Sequence, residues 1–290
     1  MAQGSSSRSV AIVSKPGKPE LADILPQLLE WFDQHHYGVL IDRETAAYTN
    51  NREIVDRDQI GLRKPDYAIV LGGDGTLLSA ARAVAKAGVP ILGVNLGMLG
   101  FLTEVPLAEL YPALEAIHAN RFSLDHRALV YCQLLREGKS IATYDALNDA
   151  IVNKVSIARL ASLDLYIDEM FVSNYKADGM IIATPTGSTA YSVAAGGPIL
   201  MPSVEAFVVT PVSPHSLTHR PLVVRDSSEI VVVVNTEHEP AFLSIDGQVG
   251  MDLRDRDRIV CRKSEYTVKL LRISKTFFDV LRTKLKWGQR

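Results

Sequence analysis

Cysteine is scarce in this 290-residue sequence, which contains only Cys132 and Cys261. Two cysteines so far apart form no metal-ligand or redox pair, so both are expected to be buried free thiols. No segment approaches the roughly 20 uninterrupted apolar residues of a membrane-spanning helix. The first residues, MAQGSSSRSV, also lack the apolar core of a signal peptide. Together these absences predict a cytoplasmic protein.

An excess of charge of either sign is also missing. The chain has 31 basic and 33 acidic residues, which gives a formal net charge of −2. Without an overall basic field, neither a nucleic acid nor a membrane surface is expected as a partner. Any anion that binds must therefore be held by local geometry.

The order of apolar patterns predicts two domains. Up to about residue 120, short strand-like runs alternate with helical patterns, which is typical of parallel βαβ units and a Rossmann-like α/β domain. The expected strands of this part are 9–14, 38–41, 67–71 and 89–94, and the expected helices begin near 21, 77 and 106. Beyond residue 122 strand-like runs dominate. We therefore predict an α/β domain over 1–125 and a mostly β domain over 126–274.

The second half contains nine strand-like runs and few helical ones. The runs are 128–135, 163–167, 170–172, 179–183, 207–210, 230–234, 241–245, 258–261 and 266–273. The segment LYIDEMFV predicts a β-hairpin with Asp168 and Glu169 near its tip. The alternating charges of residues 252–257 (DLRDRD) are typical of a solvated turn.

The glycine-rich segment GGDGT (72–76) interrupts an apolar run and precedes a helical pattern. One interpretation is a strand-to-helix turn in which the glycines take positive φ and Asp74 caps the helix. The other is a phosphate site, where turn N–H groups bind phosphate and Asp74 accepts a hydroxyl proton or helps to hold a divalent ion. The segment fits neither the Walker A motif nor GxGxxG. These residues alone leave both interpretations open.

Four further polar or glycine-rich segments follow apolar strands, where α/β proteins usually place ligand sites. They are NLGMLGF (95–101), ALND (146–149), KADGMIIATPTGSTAYSVAAGGP (176–198) and SIDGQ (244–248). The hydroxyl-rich stretch TPTGSTAYS suits contacts with ribose, phosphate or a base edge, although serine and threonine are also common in ordinary loops. Each segment alone is a weak signal.

Together with LTHRPLV, these segments occur in the order and approximate spacing of bacterial NAD kinases, and the chain resembles that family from about residue 67 to residue 248. GGDG alone is shared with diacylglycerol-kinase-like and sphingosine-kinase-like lipid kinases and with phosphofructokinases, whereas TPTGSTAYS with a later DGQ is far more specific. The resemblance implies an NAD kinase/diacylglycerol kinase-like α/β domain followed by a mostly β domain. It also implies that the last segment, about 275–290, packs back on the first domain.

The implied reaction is transfer of the γ-phosphoryl group of ATP to the 2′-hydroxyl of the adenosine ribose of NAD, giving NADP, with Asp74 as proton acceptor. Asn148 and Asp149 would bind the dinucleotide, although many relatives carry Glu at the second position. Lys176 falls where relatives often carry Arg and lacks the bidentate fork of that side chain. Arg159 is equally compatible with a solvated surface arginine. The other implied ligand contacts are Gly72, Gly73, Gly75, Thr76, Asp178, Thr186, Thr189, Ala190, Tyr191, Ser192, Ala194 and Gln248.

The resemblance further implies a Mg²⁺ ion that enters with ATP, and a homo-oligomer such as a dimer or tetramer. Polyphosphate stays open as a second donor. No dedicated metal site is expected from the protein, and His35 with His36 is interpreted as a helix terminus. Two alternatives remain: a GGDG kinase acting on a lipid or sugar, and a dinucleotide-binding sensor without activity.

Overall fold

The structure is a computed structural model that describes residues 8–49, 52–155, 161–235, 240–273 and 276–286. The chain divides into two compact units, each with its own interior. Met1–His126 and Val268–Arg290 form the first unit, and Arg127–Thr267 forms the second. The second unit is therefore an insertion between two parts of the first.

The strands and helices are numbered in chain order. The strands are β1 (Ser9–Ser14), β2 (Gly38–Asp42), β3 (Glu53–Val55), β4 (Tyr67–Gly72), β5 (Ile91–Asn95), β6 (Val105–Pro106), β7 (Ser123–Arg136), β8 (Lys139–Ala146), β9 (Asp149–Lys154), β10 (Ala161–Ile167), β11 (Met170–Ala177), β12 (Gly179–Ala183), β13 (Ala206–Val212), β14 (Leu222–Arg225), β15 (Ile230–Asn235), β16 (Ala241–Ile245), β17 (Val249–Leu253) and β18 (Arg258–Arg272). The helices are α1 (Leu21–Gln34), α2 (Ile60–Arg63), α3 (Asp74–Val84), α4 (Leu110–His118), α5 (Tyr191–Ala194) and α6 (Phe277–Leu285).

The first unit is built on a parallel sheet with the strand order β5-β4-β1-β2-β3. Every residue of β4 is buried, as expected for an apolar strand in a sheet that is covered on both faces. From β1 the chain builds the sheet toward β3, and it then returns to add β4 and β5 on the other side of β1. The order thus reverses between β1 and β4, and the GGDGT segment follows β4 at this reversal. In parallel α/β sheets, ligands bind at such a position.

The second unit contains two sheets that share one apolar core. One sheet has the order β14-β13-β12-β9-β16-β17, with antiparallel neighbours throughout. The other has the order β11-β10-β15-β18, and β18 also pairs with β7, which pairs with β8. In the first sheet β9 lies between β12 and β16 and runs antiparallel to both. The start of β9 therefore lies beside the ends of β12 and β16, at one edge of the sheet.

The predicted strands and the predicted hairpin are present, with one merged pair. Asp168 and Glu169 form the turn between β10 and β11 with φ of 49° and 65°, the left-handed values that a two-residue hairpin turn requires. The separate strands predicted over 258–261 and 266–273 are instead one 15-residue strand, β18. The polar residues between them do not interrupt it: Ser264 is buried within the strand, and its hydroxyl donates to the Asp145 carboxylate at 2.6 Å.

The interpretation of residues 252–257 as a solvated turn is wrong for Asp257, which is fully buried. Its carboxylate accepts hydrogen bonds from Arg136, at 2.9 Å from Nε and 2.7 Å from a terminal nitrogen. A charge that is buried in this way requires a bidentate partner from another strand, which local charge alternation does not reveal.

Cys132 and Cys261 are buried free thiols, as expected. Although they are far apart in sequence, they lie side by side on β7 and β18. The hydrogen bond that the Cys132 thiol donates to Cys261, together with burial, raises the pKa of Cys132. Their sequence separation therefore does not keep them apart.

Within the described ranges, no helix has both the length and the apolar character needed to cross a membrane.

Candidate active site

The GGDGT segment forms the junction between β4 and α3. Helix α3 begins at Asp74, and Gly73 occupies the N-cap position without any side-chain cap. The interpretation of Asp74 as a helix cap is therefore wrong. The expectation of positive φ is also wrong, because Gly73 has φ of −123° and neither Gly72 nor Gly75 has a positive φ. Gly72 is required for a different reason, since a Cβ there would lie 2.5 Å from Oγ1 of Thr76.

The carboxylate of Asp74 reaches across to the loop that follows β5. Its Oδ1 accepts the N–H groups of Leu102 and Thr103, each at 3.0 Å, and the Thr103 hydroxyl, also at 3.0 Å. Its Oδ2 accepts the N–H of Phe101 at 2.8 Å. These four donors hold a half-buried carboxylate in one orientation. Because Oδ1 takes three of them and Oδ2 only one, Oδ2 is the oxygen with capacity for a further donor.

Buried polar side chains support this loop from behind. Nδ2 of Asn95 donates to Oγ1 of Thr103 at 3.0 Å, and the two side chains are 5% and 0% exposed. Only glycine fits at position 100, since a Cβ there would overlap with Oδ1 of Asp74. The loop is thus built around the Asp74 carboxylate.

In the second unit, the Asn148–Asp149 pair stands at the start of β9 and is held by Asp246. The Asp246 carboxylate accepts the backbone N–H groups of Leu147, Asn148 and Asp149 at 3.1, 2.7 and 3.2 Å. Asp246 follows β16 with φ of 52°, and its side chain is buried. Its own N–H donates to the carbonyl of Asp149 at 2.9 Å, so both the backbone and the side chain of Asp246 bind this segment.

The TPTG turn after β12 fixes the opposite side of the same pair. The N–H of Thr184 donates to the carbonyl of Asn148 at 2.9 Å, and the Thr184 hydroxyl donates to the carbonyl of Leu147 at 2.5 Å. Gly187 permits this approach, since a Cβ there would collide with the carbonyl of Asn148. With these backbone groups engaged, the side chains of Asn148 and Asp149 make no hydrogen bond to another described residue.

Asp149 is an electrostatically unusual group. Its side chain is only 3% exposed. Burial, together with the nearby negative charge of Asp246, raises the pKa of Asp149 to about 7. A carboxyl group in this state accepts or releases a proton near neutral pH, which is common at functional sites.

The hydroxyl-rich segment is largely occupied by its own contacts. The Thr186 hydroxyl accepts a hydrogen bond from the buried Arg127 at 3.1 Å, and the Thr189 hydroxyl donates to the carbonyl of Thr186 at 3.0 Å. Ser192 is fully buried, and its hydroxyl pairs with that of Thr210 at 2.9 Å. Its side chain thus packs inside the unit in this conformation.

The remaining predicted residues are more open. Lys176 is exposed on β11, and Asp178 forms an ion pair of 2.6 Å with Lys154. Tyr191 is 43% exposed at the start of α5. Ala190 is half-buried, Ala194 and Gln248 are exposed, and in the GGDGT segment Gly75 is exposed while Thr76 is half-buried. Arg159 lies outside the described residues.

Comparison with known proteins gives two domain matches and many full-length relatives. The ATP-NAD kinase N-terminal domain matches residues 10–122, and the ATP-NAD kinase C-terminal domain matches residues 147–273. The chain is 58% identical to the NAD kinase of Koribacter versatilis (strain Ellin345), over 98% of this chain and 99% of that protein. This chain belongs to the NAD kinase family.

Other members of the NAD kinase family are similar to this chain over most of its length. The NAD kinase of Acidobacterium capsulatum is 52% identical over 98% of this chain and all of its own length. The crystal structure of yeast NADH kinase complexed with NADH has a TM-score of 0.86 at 27% identity, covering 98% of this chain and 89% of that one. An Archaeoglobus fulgidus NAD kinase solved in complex with ATP has a TM-score of 0.77 at 24% identity, which supports the fold. The predicted NAD kinase fold, an α/β domain followed by a mostly β domain, is confirmed.

Three residues that hold Asp74 in the first unit or the Asn148–Asp149 pair in the second are absent from the sequence-based set: Gly100, Thr103 and Asp246. Gly100 and Asp246 lie in the segments NLGMLGF and SIDGQ, and Thr103 follows the first of these closely. The segments therefore indicated the correct regions of the chain. The individual roles depend on contacts between residues 26 to 99 positions apart, and no local pattern specifies those.

Proposed function

We propose that this protein is an NAD kinase that transfers the γ-phosphoryl group of ATP to the 2′-hydroxyl of the adenosine ribose of NAD. The ribose oxygen forms a bond to the γ-phosphorus as the bond from that phosphorus to the β–γ bridging oxygen breaks. Asp74 takes the hydroxyl proton, and the products are NADP and ADP. Membership of the family supports the choice of substrates.

The geometry of Asp74 is the observation that carries the mechanism. A general base must present a lone pair at hydrogen-bond distance from the hydroxyl it deprotonates. Oδ2 of Asp74 accepts one donor, while Oδ1 is filled by Leu102 and Thr103. We therefore assign Oδ2 as the proton-accepting atom. Phosphoryl transfer depends mainly on positioning and charge stabilisation, and four donors keep this oxygen in place.

The dinucleotide is proposed to contact the Asn148–Asp149 pair. Both side chains lack hydrogen-bond partners among the described residues. A ribose or a base edge offers both donors and acceptors, and an amide beside a carboxyl group can pair with both. The yeast structure with NADH, at 27% identity, supports a dinucleotide in this fold. The other residues inferred from the resemblance stay predictions, with Ser192 assigned to packing rather than direct contact.

A divalent metal is proposed to enter as part of the ATP substrate. Within the described part of the chain, no group of three or more His, Cys, Asp or Glu side chains is placed to hold a metal ion. The Asp74 carboxylate is already engaged by four donors. A Mg²⁺ ion therefore suits the usual arrangement in which phosphates and water supply most ligands. Homo-oligomeric assembly and a cytoplasmic location stay predictions.

The test is NADP formation by the purified protein with ATP, Mg²⁺ and NAD, followed with an NADP-specific dehydrogenase. Asp74→Asn should reduce turnover by about 10² or more while NAD binding changes only a few-fold, because the amide cannot accept the proton. Asp66→Asn is the matched control: Asp66 precedes the same strand, β4, and holds the N–H of Ser9 at 2.6 Å. Normal turnover by Asp74→Asn would exclude Asp74 as the base.

Two further sets of assays separate the alternatives. Diacylglycerol and fructose 6-phosphate in place of NAD test a lipid or sugar kinase, and polyphosphate in place of ATP tests the second donor. NAD binding without NADP formation under any donor would instead indicate a dinucleotide-binding sensor.

A further inference from the structure

Asp246 makes three contacts that no catalytic role requires. One carboxylate takes three consecutive backbone N–H groups, those of Leu147, Asn148 and Asp149, between 2.7 and 3.2 Å. The residues are about 100 positions apart in the chain, so the contact is made only in the folded unit. A buried carboxylate that collects several backbone donors fixes the segment that supplies them.

The backbone at Asp246 adopts a conformation that suits an aspartate, and further hydrogen bonds reinforce the contact. Asp246 has φ of 52°, a left-handed value that is uncommon for residues other than glycine, asparagine and aspartate. Its N–H also donates to the Asp149 carbonyl. The Thr184 N–H and hydroxyl bind the carbonyls of Asn148 and Leu147 from the other side. The backbone of residues 147–149 is thus fixed at its three N–H groups by the Asp246 carboxylate. Thr184 binds the carbonyls of Leu147 and Asn148, and the Asp246 N–H binds that of Asp149.

From this arrangement we infer that Asp246 is a positioning residue for NAD: it sets the direction of the Asn148 and Asp149 side chains without touching the dinucleotide. Its own oxygens are engaged by the three N–H groups, and its side chain is buried. Loss of its acceptors releases the segment, so the free energy of NAD binding changes while the phosphoryl donor site and Asp74 keep their geometry. This inference rests on the proposed NAD kinase activity.

The test compares Asp246→Asn with Asp168→Asn. Asparagine adopts the left-handed conformation readily, so Asp246→Asn removes the charge and one acceptor with little backbone strain. Asp168 offers a matched control in the same unit, because it also has a left-handed φ, of 49°, and its carboxylate also accepts one backbone N–H, that of Glu229 at 2.9 Å.

For Asp246→Asn, KM for NAD should rise at least tenfold, while KM for ATP changes less than twofold and kcat less than threefold. Asp168→Asn should leave all three values at the wild-type level. Calorimetric titration with NAD alone should show the same loss of affinity without turnover. Asp246→Glu, which keeps the charge, should recover part of the NAD affinity.

Each outcome separates the inference from the proposed function. If the wild-type protein makes no NADP, the proposed function fails. If it does, and Asp246→Asn lowers kcat with an unchanged KM for NAD, Asp246 has only a folding role and the inference is wrong. Equal rises in KM for NAD and ATP would also overturn it.

Discussion

At the scale of single residues, Asp149 is a buried carboxyl group that lowers the stability of the folded protein at neutral pH. The side chain is almost fully enclosed, and no described residue offers it a cationic partner, so burial and Asp246 raise its pKa from 3.8 to about 7. In the folded protein it therefore keeps its proton to a higher pH than in the unfolded chain. Such a carboxyl lowers the free energy of unfolding as the pH rises from about 4 to about 7, because the unfolded state ionises first. A buried carboxyl group that lowers stability in this way is typical of a functional site.

Substitution of Asp149 by Asn should therefore stabilise the protein at pH 8 and have little effect at pH 4. A pKa rise of this size corresponds to an upper limit on the order of 4 kcal/mol. Calorimetric melting temperatures of both proteins from pH 4 to pH 8 should diverge progressively between about pH 4 and pH 7. The same variant should weaken NAD binding. Parallel melting curves across the whole range would show that Asp149 is not a buried group with a raised pKa.

At the scale of elements, the loop between β5 and β6 shows which part of the site was predictable. The alternation of strand-like and helical patterns predicts β4, β5 and α3, because buried parallel strands are continuous apolar runs and glycine marks the turn between strand and helix. The motif also identifies Asp74. Of the two interpretations left open for this residue, the helix cap is wrong, because donors from Phe101 to Thr103, distant in sequence, bind the carboxylate.

Asp246 escapes prediction for the same reason. Its partners lie about 100 residues away, and they meet it only because β16 pairs with β9 in a register that aligns Ile245 with Ala150. Register between strands distant in sequence depends on the assembled sheet. The SIDGQ segment therefore signals a site, while the assignment of Asp246 to the Asn148–Asp149 backbone needs the structure.

The tight fit of this loop against Asp74 gives a prediction at the same scale. Gly100→Ala places a methyl group where Oδ1 of Asp74 lies, so the carboxylate must move and turnover should fall at least tenfold. Gly38→Ala in the same unit meets only ordinary contacts, the nearest at 3.8 Å, and should keep turnover within about twofold. Steady-state NADP formation measures both. Equal activity of the two variants would mean that the loop does not position Asp74.

At the scale of the whole molecule, the first unit is assembled from both ends of the described chain. The end of β18 adds to its sheet where Leu270 pairs with Ile91, and Leu271 joins its apolar core. Helix α6 then begins at a capping box, in which Thr276 and Asp279 bind each other's backbone, and it buries Val280 and Leu281. The capping box fixes where this helix starts, which is the arrangement expected of an element that completes a core rather than a loose tail.

A chain truncated after Thr267 should therefore fail to form a stable first unit, even though residues 1–126 remain. It loses Leu270, Leu271, Val280 and Leu281, each at most 4% exposed, and burial of such side chains contributes about 1.5–3 kcal/mol apiece. Their sum, about 6–12 kcal/mol, equals the whole stability of many domains. Truncation after Lys286 removes no described residue and serves as the control. Scanning calorimetry and NADP formation should show a normal transition and activity for the chain ending at Lys286. The chain ending at Thr267 should lose activity and the part of the transition that belongs to the first unit. A native melting transition in the shorter chain would mean that residues 8–126 form a complete core without the last strand and helix.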